Sequence, residues 1–288
     1  MRPRLDEIRL RTLTVEDVES AESLLVSAFG GAESRKADLR RFLRIQPDGG
    51  ILATWDGQPV GMVGAVDFGP FVSIGMMAVD PRYQRRGIGR VLMESLLDSL
   101  DRRGCPMSIL EASEAGARLY PKLGFIDEGE THQFRLGANP PSGQPPSARV
   151  SAVKAEEIPA LEAFDAPIFG ARRGKVFAAY LADFPERAFL ARDQAGEIAG
   201  CLFAQRRRLG PWIARTPEVA EDLLRVALQL THADSRRVLA PGCNPDVLVL
   251  LKRYGFEFVE THRRMRRGGE GLPGRRQFVF GLASYAIG

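Results

Sequence analysis

The sequence predicts an α/β fold, helices packed on a mixed sheet in an α+β arrangement, present twice in tandem. Three observations point there. Short apolar strand-like runs alternate with amphipathic helical ones. The stretch GANPPSGQPPSAR at 137–149 holds four prolines and little apolar content, and it divides the 288 residues into two blocks of similar size, each within the roughly 100–200 residues of an ordinary domain. The blocks also echo each other: GQPVGMVGAV at 57–66 is answered by GEIAGCLFAQ at 196–205, and Leu123-Gly124-Phe125 with Glu130-Thr131-His132 by Tyr254-Gly255-Phe256 with Glu260-Thr261-His262. The paired glycines lie 139 residues apart (Gly61, Gly200) and 131 apart (Gly124, Gly255). The expected organisation is a front unit at 1–138, a linker at 139–149 and a rear unit at 150–288.

In the front block, Ile8–Leu13 alternates apolar and polar residues as a strand does. Thr14 can cap a following helix with Asp17 three residues on, in the manner of a capping box, and Val15, Val18, Leu25 and Phe29 give that helix an apolar stripe. A short helix fits 35–45, and strands fit 51–55, 59–67 and 71–79. Ile88, Val91, Leu92, Ser95, Leu96, Ser99 and Leu100 recur at helical spacing. Met107–Leu110 is a short buried strand, 114–122 a helix, and 125–136 one or two strands. The rear block repeats the outline, with strands at 188–192, 197–205, 209–214 and 237–240, helices at 217–230 and 245–253, and closing strands at 256–266 and 277–282.

Composition excludes several classes. Hydrophobic residues make up 44% and charged residues 26%, too much apolar content for a disordered chain. No run approaches the roughly 18 uncharged residues of a membrane helix, and MRPRLDEIRLR lacks the apolar centre of a signal peptide. Cys105, Cys201 and Cys243 are an odd number without CxxC spacing, so neither a disulfide framework nor a metal site is expected, and the reducing cytoplasm is the natural compartment. The net charge of +4 is uneven: residues 1–140 sum to −2 and residues 141–288 to +6. The excess clusters at Arg206–Arg208, Arg263, Arg264, Arg266, Arg267, Arg275 and Arg276, a solvated basic face or a site for an anionic small molecule. No nucleic-acid motif accompanies it.

The chemistry concentrates in Met76-Met77-Ala78-Val79-Asp80-Pro81-Arg82-Tyr83-Gln84-Arg85-Arg86-Gly87-Ile88-Gly89-Arg90. An apolar strand ends, Pro81 fixes a turn, and the chain enters a helix through two glycines. Free amides at a helix start, with the helix dipole, make an anion site, and glycine lets a ligand come close to the backbone. Arg85, Arg86 and Arg90 add positive charge. The segment matches neither GxxxxGK[ST] nor GxGxxG.

Gln84-Arg85-Arg86-Gly87-Ile88-Gly89, a Q-x-x-G-x-G after a strand, resembles the pyrophosphate loop of the GNAT superfamily of N-acetyltransferases. Leu110-Glu111-Ala112-Ser113 through Tyr120-Pro121-Lys122-Leu123-Gly124-Phe125 resembles that family's later motif. The whole outline is similar to tandem GNAT proteins with a catalytic front domain and a degenerate rear one. The resemblance implies two GNAT-like acyl-CoA N-acyltransferase domains and acetyl-CoA as co-substrate, without a metal. It implies that Met77, Ala78 and Val79 pair with the pantetheine arm. Gln84, Arg85, Arg86, Gly87, Ile88, Gly89 and Arg90 form the pyrophosphate loop, and Ser113 and Gly116 complete the contact. Tyr120 matches the general acid that protonates the departing thiolate. For the general base, Glu111 is the candidate, with Asp67 as alternative. His132 and His262 are expected to be structural.

The rear block departs from this pattern. It lacks Q-x-x-G-x-G, Ala214 is followed almost at once by the helix start Pro217-Glu218, and Leu251 stands where Tyr120 stands in front. The rear unit is therefore expected to bind no CoA and to pack beside the front one, walling the acceptor pocket with its arginines toward an acidic group. The expected function is acetyl transfer to a primary amine, a small molecule, by direct attack in a ternary complex. The alternative is a non-catalytic acyl-CoA sensor with a partner. Neither membrane nor nucleic acid is an expected partner, and the expected state is a monomer or homodimer.

Overall fold

Asp56 and Gly57 take positive φ of 47° and 72°, the twist a two-residue hairpin needs, and they join β2 (Gly50–Trp55) to β3 (Gln58–Asp67). In this computed structural model, which describes residues 7–30, 34–138, 149–230, 236–271 and 273–288, the hairpin belongs to an antiparallel run of β1 (Arg9–Thr12), β2, β3 and β4 (Val72–Val79). Most of the proline-rich linker lies outside the described residues. The Thr14–Asp17 box forms, with Asp17 Oδ2 accepting from the Thr14 amide at 3.0 Å, and α1 (Val18–Phe29) follows. Then come α2 (Lys36–Ile45), α3 (Ile88–Arg102), β5 (Met107–Ala112) and one long β6 (Ile126–Leu136).

The helix expected over 114–122 is instead two 3-10 turns, Gly116–Arg118 and Tyr120–Leu123. Pro121 has no amide to donate, so the helical ladder cannot continue through it, and the segment breaks at Leu119 between the two turns. α3 buries Ile88, Leu92, Met93, Leu96, Leu97 and Leu100, each worth about 1.5–3 kcal/mol when fully buried. It can lie close on β3 because residue 61 is glycine: a Cβ there would stand 3.0 Å from Leu92 Cδ1.

The rear half repeats this arrangement. Its elements are β7 (Val150–Ala152), α4 (Ile158–Phe169), α5 (Gly174–Asp183), β8 (Ala188–Arg192), β9 (Ile198–Ala204), β10 (Leu209–Ala214), α6 (Pro217–Gln229), β11 (Arg237–Pro241), α7 (Pro245–Arg253), β12 (Phe256–Gly268) and β13 (Val279–Gly281). Gly200 does for α6 what Gly61 does for α3, since a Cβ there would meet Val219 Cγ1 at 2.9 Å. No periodic pattern in the sequence marks the helices over 158–183. Pro159 in its first turn and Pro167 inside it read as breakers although α4 runs through both, and apolar side chains on several of its faces mask its period.

The halves do not simply pack side by side. One sheet of eight strands runs β1-β2-β3-β4-β5-β12-β6-β11, and the other runs β13-β10-β9-β8-β7. Rear strand β12 thus lies between front strands β5 and β6, antiparallel to both. A single apolar core, with Leu39, Phe42 and Phe71 from the front and Leu161, Phe177 and Phe203 from the rear, joins the halves on the helix side. The charge asymmetry has its explanation here. On β12, Arg263 meets Asp127, Arg264 meets Glu111, Arg266 meets Glu128 and Arg267 meets Asp101. The basic rear strand is bound by an acidic front half.

Candidate active site

β4 and β5 run parallel for three pairs only, Val72 with Ser108, Ser73 with Ile109 and Ile74 with Leu110. Beyond them β4 bulges: Gly64 faces Gly75 and Met62 faces Ala78, and Met76 carries φ 50°. A bulge bends and twists its strand, and here β4 turns away from β5. Among the described residues, Ala78 and Val79 then pair only with Met62 and Gly61 of β3, Met77 sits in the bulge, and the edge facing β5 is open.

The loop that follows is built to hold its shape. Asp80 Oδ1 accepts from the Arg82 amide at 2.9 Å, and the Arg82 guanidinium beside it holds the Asp80 carboxyl below its usual range. Gln84 Nε2 donates to the Val79 carbonyl at 3.0 Å, so this side chain braces the loop against the strand. Arg85 takes φ 58° and Gly87 φ 87°, and Gly87 is the N-cap of α3. The first helical bond runs from the Val91 amide to the Gly87 carbonyl. Among the described residues the amides of Arg85 through Arg90 meet no backbone acceptor. A Cβ on Gly89 would meet only Val79 Cγ2, at an ordinary 3.7 Å. Protein packing does not demand glycine there, and the open space leaves room for a ligand to come close to the backbone. Arg90 pairs with Glu94, while Arg85 has no ion pair among the described residues. The cradle therefore fits the diphosphate of CoA.

Tyr120 is 7% exposed and packs against Phe125, ring centroids 5.8 Å apart. Its place depends on Gly116: a Cβ on that residue would stand 2.6 Å from the tyrosine ring. Ser113 braces the same turn, its carbonyl accepting from the Ala117 amide at 2.9 Å. Burial pushes the phenol up to about 12. It is thus protonated at neutral pH, as a proton donor must be. Its hydroxyl has no protein partner among the described residues.

Glu111 is the first β5 residue past the parallel pairing. Its Oε1 accepts from Arg264 Nη1 at 2.9 Å and stands 3.5 Å from Arg276 Nη1, while its buried Oε2 has no partner among the described residues. Asp67 is a correction. It pairs with Val72 at the far end of β4, bonds to Arg103 at 2.7 Å, and is remote from the open edge. His132 Nδ1 bonds with Thr261 Oγ1 at 2.9 Å, and His262 stacks on Tyr285, centroids 4.1 Å apart. No local motif in the sequence marks the C-terminal segment bearing Tyr285. A Cβ on Gly75 would meet Ala286 at 2.4 Å, so this segment lies directly on β4 where the bulge begins.

The rear half has the same strands and a closed cleft. Gly200 faces Ala214 as Gly61 faces Val79, so Trp212 and Ile213 correspond to Met77 and Ala78. Their edge is taken by β13, which pairs Gly281 with Trp212 and Val279 with Ile213. The start of α6 is capped from within, Thr216 Oγ1 accepting from the Val219 amide and Pro217 contributing no amide. Among the described residues no group of three His, Cys, Asp or Glu side chains stands ready for a metal ion, and no helix is long and apolar enough to cross a membrane.

Comparisons with known proteins agree with this geometry. The Acetyltransferase (GNAT) family matches residues 18–125, and the Acetyltransferase (GNAT) domain matches residues 161–281. A putative acetyltransferase from Pyrococcus horikoshii superposes with a TM-score of 0.88 at 30% identity, over 100% of this chain and 98% of that one. The uncharacterized N-acetyltransferase YitH of Bacillus subtilis is 26% identical over 172 residues, 58% of this chain and 60% of YitH. The [ribosomal protein bS18]-alanine N-acetyltransferase of Escherichia coli is 54% identical over 52 residues, 17% of this chain and 35% of that protein. The matches thus span less than two thirds of these curated relatives. With an open strand edge, a glycine-capped helix and a buried tyrosine in its front half, and the same framework behind, the chain belongs to the GNAT acetyltransferase family and carries two GNAT domains in tandem.

Proposed function

We propose that the chain moves an acetyl group from acetyl-CoA to a primary amine on a small molecule, at one site in the front half, in the cytoplasm. The observation that carries this reading is the open edge of Met77, Ala78 and Val79 running into the unfilled amides around Gly87 and Gly89. The amides of Arg85 through Arg90 would hold the diphosphate, with Gln84 bracing the loop, and the strand edge would pair with the pantetheine. Ser113 and Gly116 set the position of Tyr120 beside that path. Acetyl-CoA supplies an activated thioester.

In the transfer, a nitrogen–carbon bond forms and the carbon–sulfur bond breaks. The amine loses a proton toward Glu111 Oε2, the carboxylate oxygen that Arg264 leaves free, directly or through water. The Tyr120 hydroxyl returns a proton to the departing sulfur. No covalent enzyme intermediate is needed. A small acceptor is favoured over a polypeptide because the C-terminal segment at Ala286 covers the bulge on the acceptor side. The Escherichia coli relative acts, by its name, on an alanine of ribosomal protein bS18, so an α-amine belongs among the acceptors to test. The three thiols are free, in keeping with a reducing compartment.

The experiment is thiol release from acetyl-CoA across an amine panel. The expected result is turnover by the wild type and a loss of about 10²–10⁴-fold in kcat for Tyr120→Phe with unchanged CoA affinity. Tight CoA binding with no turnover of any amine contradicts the reading and favours a sensor.

A further inference from the structure

We propose that the buried polar layer between the halves is the acceptor subsite, and that it selects amines that also carry a carboxylate. This rests on the transferase reading above and names its substrate class. The layer lies where β4 and β5 part. Glu111 flanks the opening on β5, Tyr285 enters it with the segment lying on Gly75 of β4, and His262 and Arg264 project from β12. Arg276 crosses above, its Nη2 bonding Thr131 Oγ1 at 3.2 Å.

Its charge does not balance. The side chains of Arg264 and Arg276 are each 11% exposed and that of Glu111 is 3% exposed, so two guanidiniums share one carboxylate away from water. The neighbouring acids are engaged or exposed: Glu128 is held by Arg266, Asp127 by Arg263, Glu260 stands 3.5 Å from His262, and Glu130 is more than half exposed beside His132. An unmatched buried cation is costly, and an anion from outside would offset it. Burial first, and then Arg276, hold the Arg264 guanidinium down at about 10, while Glu111 opposes them.

Unpartnered atoms gather in the same place. Among the described residues, Arg264 Nε, Arg276 Nη1, His262 Nδ1, Tyr285 Oη and Glu111 Oε2 are buried without a hydrogen-bond partner. Native interiors seldom leave such groups unmet, so a cluster of five calls for a ligand. The set has two chemical halves. The guanidinium donors suit a carboxylate, which arginine binds well. The free carboxylate oxygen of Glu111 suits an ammonium or amine. Arg264 and Arg276 also line an open cavity of about 670 Å³, together with the paired or exposed acids Asp127, Glu128 and Glu130, roomy enough for a small molecule. An amino carboxylate satisfies both halves and leaves its amine at the strand opening.

The test pairs α- and ω-amino acids with their own carboxamides. Each is titrated calorimetrically into full-length protein saturated with CoA, and each is assayed in parallel for thiol release from acetyl-CoA. At least one amino acid is expected to bind about tenfold or more tighter than its carboxamide. In Arg276→Gln, which leaves the Arg264–Glu111 pair in place, that ratio falls to about twofold or less, while Arg276→Lys keeps part of it. CoA affinity within about twofold of wild type shows that the variants are folded. No preference for any carboxylate, or Arg276→Gln weakening acid and amide alike, overturns the proposal. A carboxylate preference in binding with no thiol release from any amine leaves the subsite standing and removes the transferase reading. Equal turnover of acids and amides does the reverse.

Discussion

The front and rear halves share a framework and differ in what fills it. In both, a glycine on a central strand lets a helix lie close, Gly61 under α3 and Gly200 under α6. In both, a glycine with positive φ opens the late strand, Gly124 at 83° and Gly255 at 74°. Then they part. The front edge at Met77 and Ala78 is open, while the rear edge at Trp212 and Ile213 is paired with β13. The front helix starts on a bare glycine, and the rear one on Thr216 and Pro217. The front has Tyr120 under its cleft, and the rear has Leu251, fully buried in α7. A binding cleft is lost by supplying its hydrogen bonds from within the chain, without altering the surrounding sheet and helices.

The largest expected effect concerns what holds the halves together. Glu111→Gln removes from between β5 and β12 the one carboxylate that Arg264 and Arg276 share, and leaving a buried charge uncompensated costs about 3–5 kcal/mol. Urea unfolding is expected to show that loss. A change near zero would mean that the rear strand does not depend on the front carboxylates.

Next comes a feature found in front alone. Gly116→Ala puts a methyl 2.6 Å from the Tyr120 ring, and displacing a reacting group by about 1 Å can cost a hundredfold. Turnover should fall about that much with CoA affinity kept, and full activity would separate Tyr120 from the chemistry.

The smallest effect tests a shared feature. Hydrogen bonds from Arg11, outweighing burial, bring the Asp17 carboxyl down to about 2, below its unfolded value of 3.8. A lowered value means stability that is present above about pH 4 and lost as pH falls toward 2. Asp17→Asn is expected to cost about 1–2 kcal/mol at pH 7, the difference closing as pH drops to 2. Glu157, bonded to Arg192 and the Lys154 amide, holds the matching place in the rear, and Glu157→Gln should behave alike.

Much of this could be read from residue order. The strand, loop and helix around Gly87, the repeat, and the rear deletion after Ala214 all depend on local pattern. What escaped depends on distant partners. The arginines of β12 look like a surface face until the strand is seen between β5 and β6. The C-terminal strand gives no hint that it closes the rear cleft, because pairing across the chain leaves no local period. The helices α4 and α5 carry small apolar residues on their exposed faces as well as their buried ones, Ala160 and Ala163 outside and Leu161 and Ile168 inside, so no stripe stands out. Applying the repeat offset to α1 and α2 would have found them.

The most direct test of the central claim is a calorimetric titration of the full chain with CoA, wild type beside Gly89→Val. One open cleft and one filled cleft predict one equivalent per chain, with affinity falling about a hundredfold in the variant. Two equivalents, or affinity untouched by Gly89→Val, would contradict it.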